Sequence, residues 1–185
     1  MMNEADILDL VHSDPWMMEV LAAARSLDLP DWMIGAGFIR GKVWNHLHGF
    51  DGDQTVTMDI DLIYFEADDT SKATEKDYDR MLGLILDADW STKNQARMHT
   101  KNDRMTPFQN TFDALSEWVE TPTCIAVRLN DDGTLALFAP HGIDDLVNLI
   151  VRPTPAFHGK HDVYQKRLRE KNWTAIWPLL RILED

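Results

Sequence analysis

Between Met58 and Phe65 the chain reads as an apolar strand interrupted by two acids, Asp59 and Asp61. Strand side chains alternate in direction, so Met58, Ile60, Leu62 and Tyr64 fall on one face and Asp59, Asp61, Ile63 and Phe65 on the other. Both carboxylates on one face, roughly 6–7 Å apart at Cα, lose hydration and set like charges side by side. Two arrangements relieve this: a cation held between the acids, or an edge strand whose acidic face is solvated. Ile63 and Phe65 weigh against the second, because they would put apolar surface beside the same water. Mg²⁺ suits the first, since it takes carboxylate oxygens and keeps positions for water and substrate phosphates.

The segments around this strand alternate between helical and extended patterns. Ile7, Leu8, Leu10 and Val11 have helical spacing, Ser13-Asp14-Pro15 reads as a cap with proline in the next first turn, and Trp16, Met17, Val20, Leu21 and Ala24 continue as an amphipathic helix up to Pro30. Trp32-Met33-Ile34 predicts a short buried strand, and Phe38 to His48 another helix. Tyr78, Met81, Leu82, Ile85 and Leu86 mark a helix of roughly four turns. Trp90 to Met98 predicts a strand with Lys93, Gln95 and Arg97 on one side. Phe112, Leu115 and Trp118 suggest a helix, and Asn130-Asp131-Asp132-Gly133 predicts a hairpin between Cys124–Leu129 and Leu135–Phe138. A helix over Asp144 to Val151, a Pro-interrupted loop and a polar helical tail follow. The expectation is an α/β (α+β) fold with a mixed sheet flanked by helices. It forms a single domain over residues 1–185, with a core at about 15–152 and a C-terminal helical extension at about 153–185.

Composition narrows the function classes. With 44% hydrophobic residues and seven Trp in 185 residues, the chain can bury a sizeable core. Against 31 Asp and Glu stand 18 Lys and Arg, a net charge of −13. A long nucleic acid is therefore not an expected partner, because little is gained from counterion release without a basic stripe. The lone Cys124 excludes an internal disulfide framework and a cysteine-based zinc site. No apolar run approaches the roughly 20 residues of a membrane span, and the acidic start MMNEADILDL is unlike a signal peptide. The cytoplasm is the expected compartment.

A second segment bears on chemistry. Ile34-Gly35-Ala36-Gly37-Phe38-Ile39-Arg40 reads as a strand, a small-residue turn and a helix start. Glycine permits positive φ and close backbone approach, the first helical turn offers N–H groups to an anion, and Arg40 could reach a phosphate. The same string also fits a plain tight turn.

A glycine turn opening a helix, followed about twenty residues later by Asp59-Ile60-Asp61 between apolar residues, resembles the motif of the DNA polymerase beta-like nucleotidyltransferase superfamily. Gly35 to Arg40 with Val43-Trp44, Lys93-Asn94-Gln95-Ala96-Arg97-Met98-His99, Ala139-Pro140-His141-Gly142 with Asp144-Asp145-Leu146, and Lys171-Asn172-Trp173 are similar to a bacterial branch of nucleotidyltransferase family proteins. The likeness spans roughly residues 15–180. It implies a nucleotidyltransferase-like sheet and transfer of an NMP group from an NTP, with pyrophosphate leaving. Asp59 and Asp61 would hold catalytic Mg²⁺, Gly35 and Gly37 would admit the triphosphate, and Arg40, Lys93 and Arg97 would contact phosphate or base. A third carboxylate is usual on the next core strand, yet Trp90 to Met98 has none; Asn94 stands where an acid is expected, and either Glu120 or Asp89 substitutes or there is no third acid.

The resemblance thus implies a Mg²⁺-dependent nucleotidyltransferase, and the acidic balance of the chain points to a small-molecule or protein hydroxyl acceptor rather than a polyanion. A catalytically weak or silent nucleotide- or partner-binding protein is the alternative, and a metal-dependent phosphohydrolase a third. The histidines carry no such signal: His46 and His48 point about 200° apart on a helix, His158 and His161 read as loop residues, and His99 and His141 as structural. Trp173 and Trp177, at i and i+4, read as core packing.

Overall fold

Helix entry is specified by short polar side chains. In the computed structural model, which describes residues 2–50, 59–102 and 104–184, Asn3 forms a capping box with Asp6 at the start of α1 (Glu4–His12). Asp14 accepts from the Met17 amide ahead of α2 (Pro15–Arg25), whose first residue is the proline that the sequence pattern places there. That helix stops at Arg25 with Ser26 as its cap, well short of Pro30. The elements that follow are β1 (Met33–Gly35), α3 (Gly37–Leu47), β2 (Ile60–Tyr64), α4 (Lys72–Ile85) and β3 (Trp90–Asn94). Then come a 3-10 helix (Gln95–Asn102), α5 (Thr111–Ser116), β4 (Ala126–Leu129), β5 (Leu135–Phe138), α6 (Asp144–Val147), β6 (Ile150–Val151), α7 (His161–Lys171), α8 (Trp173–Ile176) and β7 (Arg181–Ile182).

Five strands form a mixed sheet in the order β3-β2-β1-β4-β5. β2 and β3 are parallel, and the other neighbours antiparallel. The predicted hairpin is β4–β5, turning through Asn130 to Gly133. The two faces of the sheet are covered unequally. Ile34, Ile60, Leu62, Tyr64 and Val127 point into the main core with Val20, Leu21, Ile39 and Trp44 from the helices. On the opposite face Met33, Ile63, Leu115 and Ala126 form a small cluster with Trp118 and Phe138 packed against it. Alternation along β2 therefore separates Ile60 and Leu62 from Asp61 and Ile63, as its sequence predicts. Met58 and the acidic stretch Asp51-Gly52-Asp53 lie outside the described residues.

Three expectations need correction. The strand from Trp90 ends at Asn94, and the chain turns into the 3-10 helix. Buried Asn94 causes the turn: its Oδ1 accepts from the Glu66 and Ala96 amides, and its Nδ2 donates to the Glu66 and Asp69 carbonyls. The helix from Asp144 stops at Val147, and Leu149 takes a positive φ before β6. The C-terminal segment is not wholly helical, since β7 pairs in parallel with β6. It also enters the core. The rings of Trp173 and Trp177 meet Trp44 edge-on at 5.7 and 5.0 Å, and Trp177 Nε1 donates to Asn45 Oδ1. Among the described residues no helix is long and apolar enough to cross a membrane.

Candidate functional site

The site grows from the junction of β1 and α3. Gly35 is the register partner of Asp61 on one side and of Ala126 on the other. A Cβ at Gly35 would stand 3.0 Å from Trp118 Cη2 and 3.3 Å from the Ile125 carbonyl, so the absence of a side chain lets the indole close over the strand end. The residue with positive φ in this turn is Ala36, at φ 54° and ψ −124°, rather than either glycine. Its amide donates to the Ile125 carbonyl at 3.0 Å, which ties the strained residue to β4. α3 begins directly afterwards at Gly37 with no side-chain cap, leaving its first amides without that competitor.

Asp59 is exposed immediately before β2, and Asp61 is partly buried within it. Burial pushes the Asp61 carboxyl up to about 6, and the neighbouring Asp59 charge pushes the same way; Lys171, Arg40 and Arg167 oppose them. Among the described residues, no three His, Cys, Asp or Glu side chains converge on a metal position. The donor set is thus two carboxylates. It fits a Mg²⁺ ion, which commonly takes one or two carboxylates and completes its shell with water and substrate phosphates.

A cleft of about 250 Å³ opens over this face of the sheet, lined by Ala36, Asp61, Ile63, Lys93, Trp118 and Arg167 among others. Lys93 is where its strand parity predicts. Arg40 and Arg97 are not in the lining. Arg40 is buried beneath the turn, where its Nη1 donates to Thr123 Oγ1 at 2.6 Å and its guanidinium lies 4.4 Å from the Trp173 ring and 5.1 Å from that of Trp44. Burial lowers its pKa to about 10, with Glu120 opposing the shift. Arg97 leaves the strand with the 3-10 helix and forms a two-pronged pair with buried Glu75, Nε to Oε1 at 2.8 Å and Nη2 to Oε2 at 2.5 Å. Glu120 is fully buried behind the lining, with Oε1 accepting from Arg167 Nε at 2.5 Å and Oε2 without a partner. Asp89 is exposed, next to the start of β3.

Sequence patterning does not reveal Arg167, Gln95, Glu117 or Trp118 as lining residues. Glu117 pairs with Arg104 at 2.8 Å. The i,i+4 spacing of Arg167 and Lys171 on one helix was the only available hint for the former. His48 links α3 to the C-terminal segment: its Nδ1 bonds the Trp44 carbonyl and its Nε2 accepts from the Leu179 amide. His99 and His141 each bond a backbone carbonyl, of Ala96 and Ser116.

Comparison with known proteins gives the same fold. A nucleotidyltransferase family model matches residues 22–182. A solution structure described as revealing a CCA-adding enzyme head domain is similar with a TM-score of 0.88 and 32% identity, covering 99% of this chain and 97% of that one. A CCA-adding enzyme in complex with CTP is similar with a TM-score of 0.58 and 16% identity, over 99% of this chain and 44% of its own. For the Thermotoga maritima CCA-adding enzyme complexed with tRNA the figures are 0.58 and 16%, over 96% and 42%. This chain thus spans less than half the length of those two enzymes, and the likeness to them is one of fold. No curated protein matches the sequence. A five-stranded mixed sheet, a small-residue turn beside an acidic strand and a match across most of the length lead to one conclusion: the chain belongs to the nucleotidyltransferase family and has the DNA polymerase beta-like nucleotidyltransferase fold.

Proposed function

We propose that this protein is a Mg²⁺-dependent nucleotidyltransferase that moves an NMP group from an NTP to a hydroxyl on a small molecule or a protein. One observation carries the reading: Asp61 is the register partner of Gly35, so a half-buried carboxylate stands against the turn that opens α3. Asp59 and Asp61 would hold the ion, which would lower the acceptor's pKa and neutralise charge at the α-phosphorus. The chain's own part is orientation. Gly37 opens α3 with amides free of a side-chain cap, where phosphates could sit, Lys93 offers a cation from the cleft wall, and Ile63 with Trp118, whose indole fills the space over Gly35, gives the cleft an apolar side.

The acceptor follows from charge. The net −13 disfavours a polyanion and suits a neutral or cationic acceptor. CTP and tRNA are ligands of the fold relatives with 16% identity. Incubation with each α-labelled NTP and Mg²⁺ tests the reading. Label should pass to a small-molecule or protein acceptor pool, vanish with chelator, and vanish in Asp59→Asn and Asp61→Asn. Label on the end of tRNA, or turnover in chelated buffer, contradicts it.

A catalytically silent nucleotide-binding protein is the second reading, favoured by a specific observation. β3 carries no carboxylate, and the nearby Glu117 and Glu120 are both held in ion pairs. It predicts NTP-dependent thermal stabilisation without product.

A further inference from the structure

α7 carries cations to the acidic end of the cleft. Arg167 lines the cleft with Asp61, and Lys171 follows one helical turn later on the same helix face. Both act on Asp61, together with Arg40. These three cations are not equivalent. Arg40 is buried and donates to Thr123. Lys171 is exposed and has no ion-pair partner among the described residues. Arg167 has a side chain 31% exposed and commits its Nε to Glu120, whose side chain is 0% exposed. A guanidinium fixed through Nε keeps two Nη amino groups, four N–H donors in a plane, for an oxyanion. The Trp173 ring, 5.9 Å away, further limits its orientation.

A fully buried acid with one oxygen unpartnered is costly, and the pair that its other oxygen makes with Arg167 offsets only part of that cost. Asp59 and Asp61 hold at most the charge of one divalent ion, while an NTP brings about four negative charges. The remaining phosphates need donors from a different element.

We propose that Arg167 and Lys171 of α7 form the clamp for the β- and γ-phosphates of a nucleoside triphosphate, and that Glu120 is the positioning residue that aims Arg167. This inference rests on the nucleotidyl-transfer reading for its substrate class. It gives Glu120 a part that needs no contact with the reacting atoms.

The test compares a non-hydrolysable NTP analogue with the matching NMP, both with Mg²⁺, by calorimetric titration of the full chain. Arg167→Gln and Lys171→Gln should each weaken the triphosphate by at least about tenfold, as expected for a lost charge-assisted hydrogen bond. Affinity for the NMP, which lacks the β- and γ-phosphates, should change by less than about twofold. Glu120→Gln should weaken the triphosphate in the wild-type background and add nothing in the Arg167→Gln background, a coupling that a merely structural role would not produce. Circular dichroism and unfolding of each variant separate binding loss from misfolding; should Glu120→Gln unfold, Arg167→Lys serves, since a lysine cannot hold Glu120 and two phosphate oxygens together. Equal loss of NMP and NTP affinity, or unchanged NTP affinity in Arg167→Gln and Lys171→Gln, overturns the clamp. Label transfer persisting in those variants with unchanged KM would do the same while leaving the transferase reading intact. Tight, variant-sensitive NTP binding without any transfer sustains the clamp and removes only the catalytic reading.

Discussion

Gly35 and Asp61 face each other across the antiparallel pair β1–β2, with Trp118 closing over the glycine. The same arrangement leaves a carboxylate partly dehydrated beside a second one, which is unfavourable until a cation arrives.

Asp61 therefore makes stability depend on pH in an unusual direction for an acid. Its folded pKa of about 6 lies above the ordinary 3.8, so between those values the folded chain keeps a proton that the unfolded chain has lost. Stability contributed by this group falls as pH rises across that window, and the penalty is complete above it. Asp61→Asn removes the penalty and should raise the stability of the metal-free protein at pH 7.5 by about 3 kcal/mol. Mg²⁺ should stabilise the wild type and not the variant. Urea unfolding at several pH values, with and without Mg²⁺, checks both.

Gly35→Ala tests the close approach of the indole. The added methyl would stand 3.0 Å from Trp118 Cη2, with the Ile125 carbonyl at 3.3 Å on another side. Moving the ring should cost about 1–3 kcal/mol and shift tryptophan emission. An unchanged melting temperature with unchanged emission would contradict the packing.

Ala36 holds a backbone conformation that suits glycine. Ala36→Gly should relieve strain of about 1 kcal/mol or more, offset in part by the greater freedom of the unfolded chain. The net effect expected is a small gain or no change in stability. Ala36→Val should instead lose more than about 2 kcal/mol, since a β-branched residue is poorly suited to that φ. Thermal unfolding of the pair orders them.

Asn94 stands where a third acid is expected, and its hydrogen bonds explain why. The Nδ2 donates to the carbonyls of Glu66 and Asp69 at 2.7 and 2.8 Å, which an ionised carboxylate cannot do. Asn94→Asp should destabilise the fold by about 3 kcal/mol or more without raising transfer activity. Denaturant unfolding and a label-transfer assay on the same preparation measure the two effects.

What was legible in the sequence followed a local period. The two faces of β2, the β4–β5 hairpin and the glycine turn before α3 depend on neighbours within a few residues, and the structure has them in those places. The end of β3 was not legible, because the Lys93, Gln95, Arg97 alternation continues in sequence after Asn94 has bent the chain. The pairing of Arg97, which the sequence put forward for the site, and of Arg167, which it did not, was hidden for a related reason: their partners, Glu75 and Glu120, lie 22 and 47 residues away. The two-residue strands β6 and β7 are too short to carry a period at all.

Trp177 and the short β6–β7 ladder moor the far end of the chain to residues laid down much earlier, including Asn45. During vectorial synthesis, all five strands of the main sheet leave the ribosome before α7 does. A nascent chain at that stage displays its acids without the basic helix opposite them. Arg167 therefore joins the cleft only after the strand that carries Asp61 and the rest of the main sheet have been made.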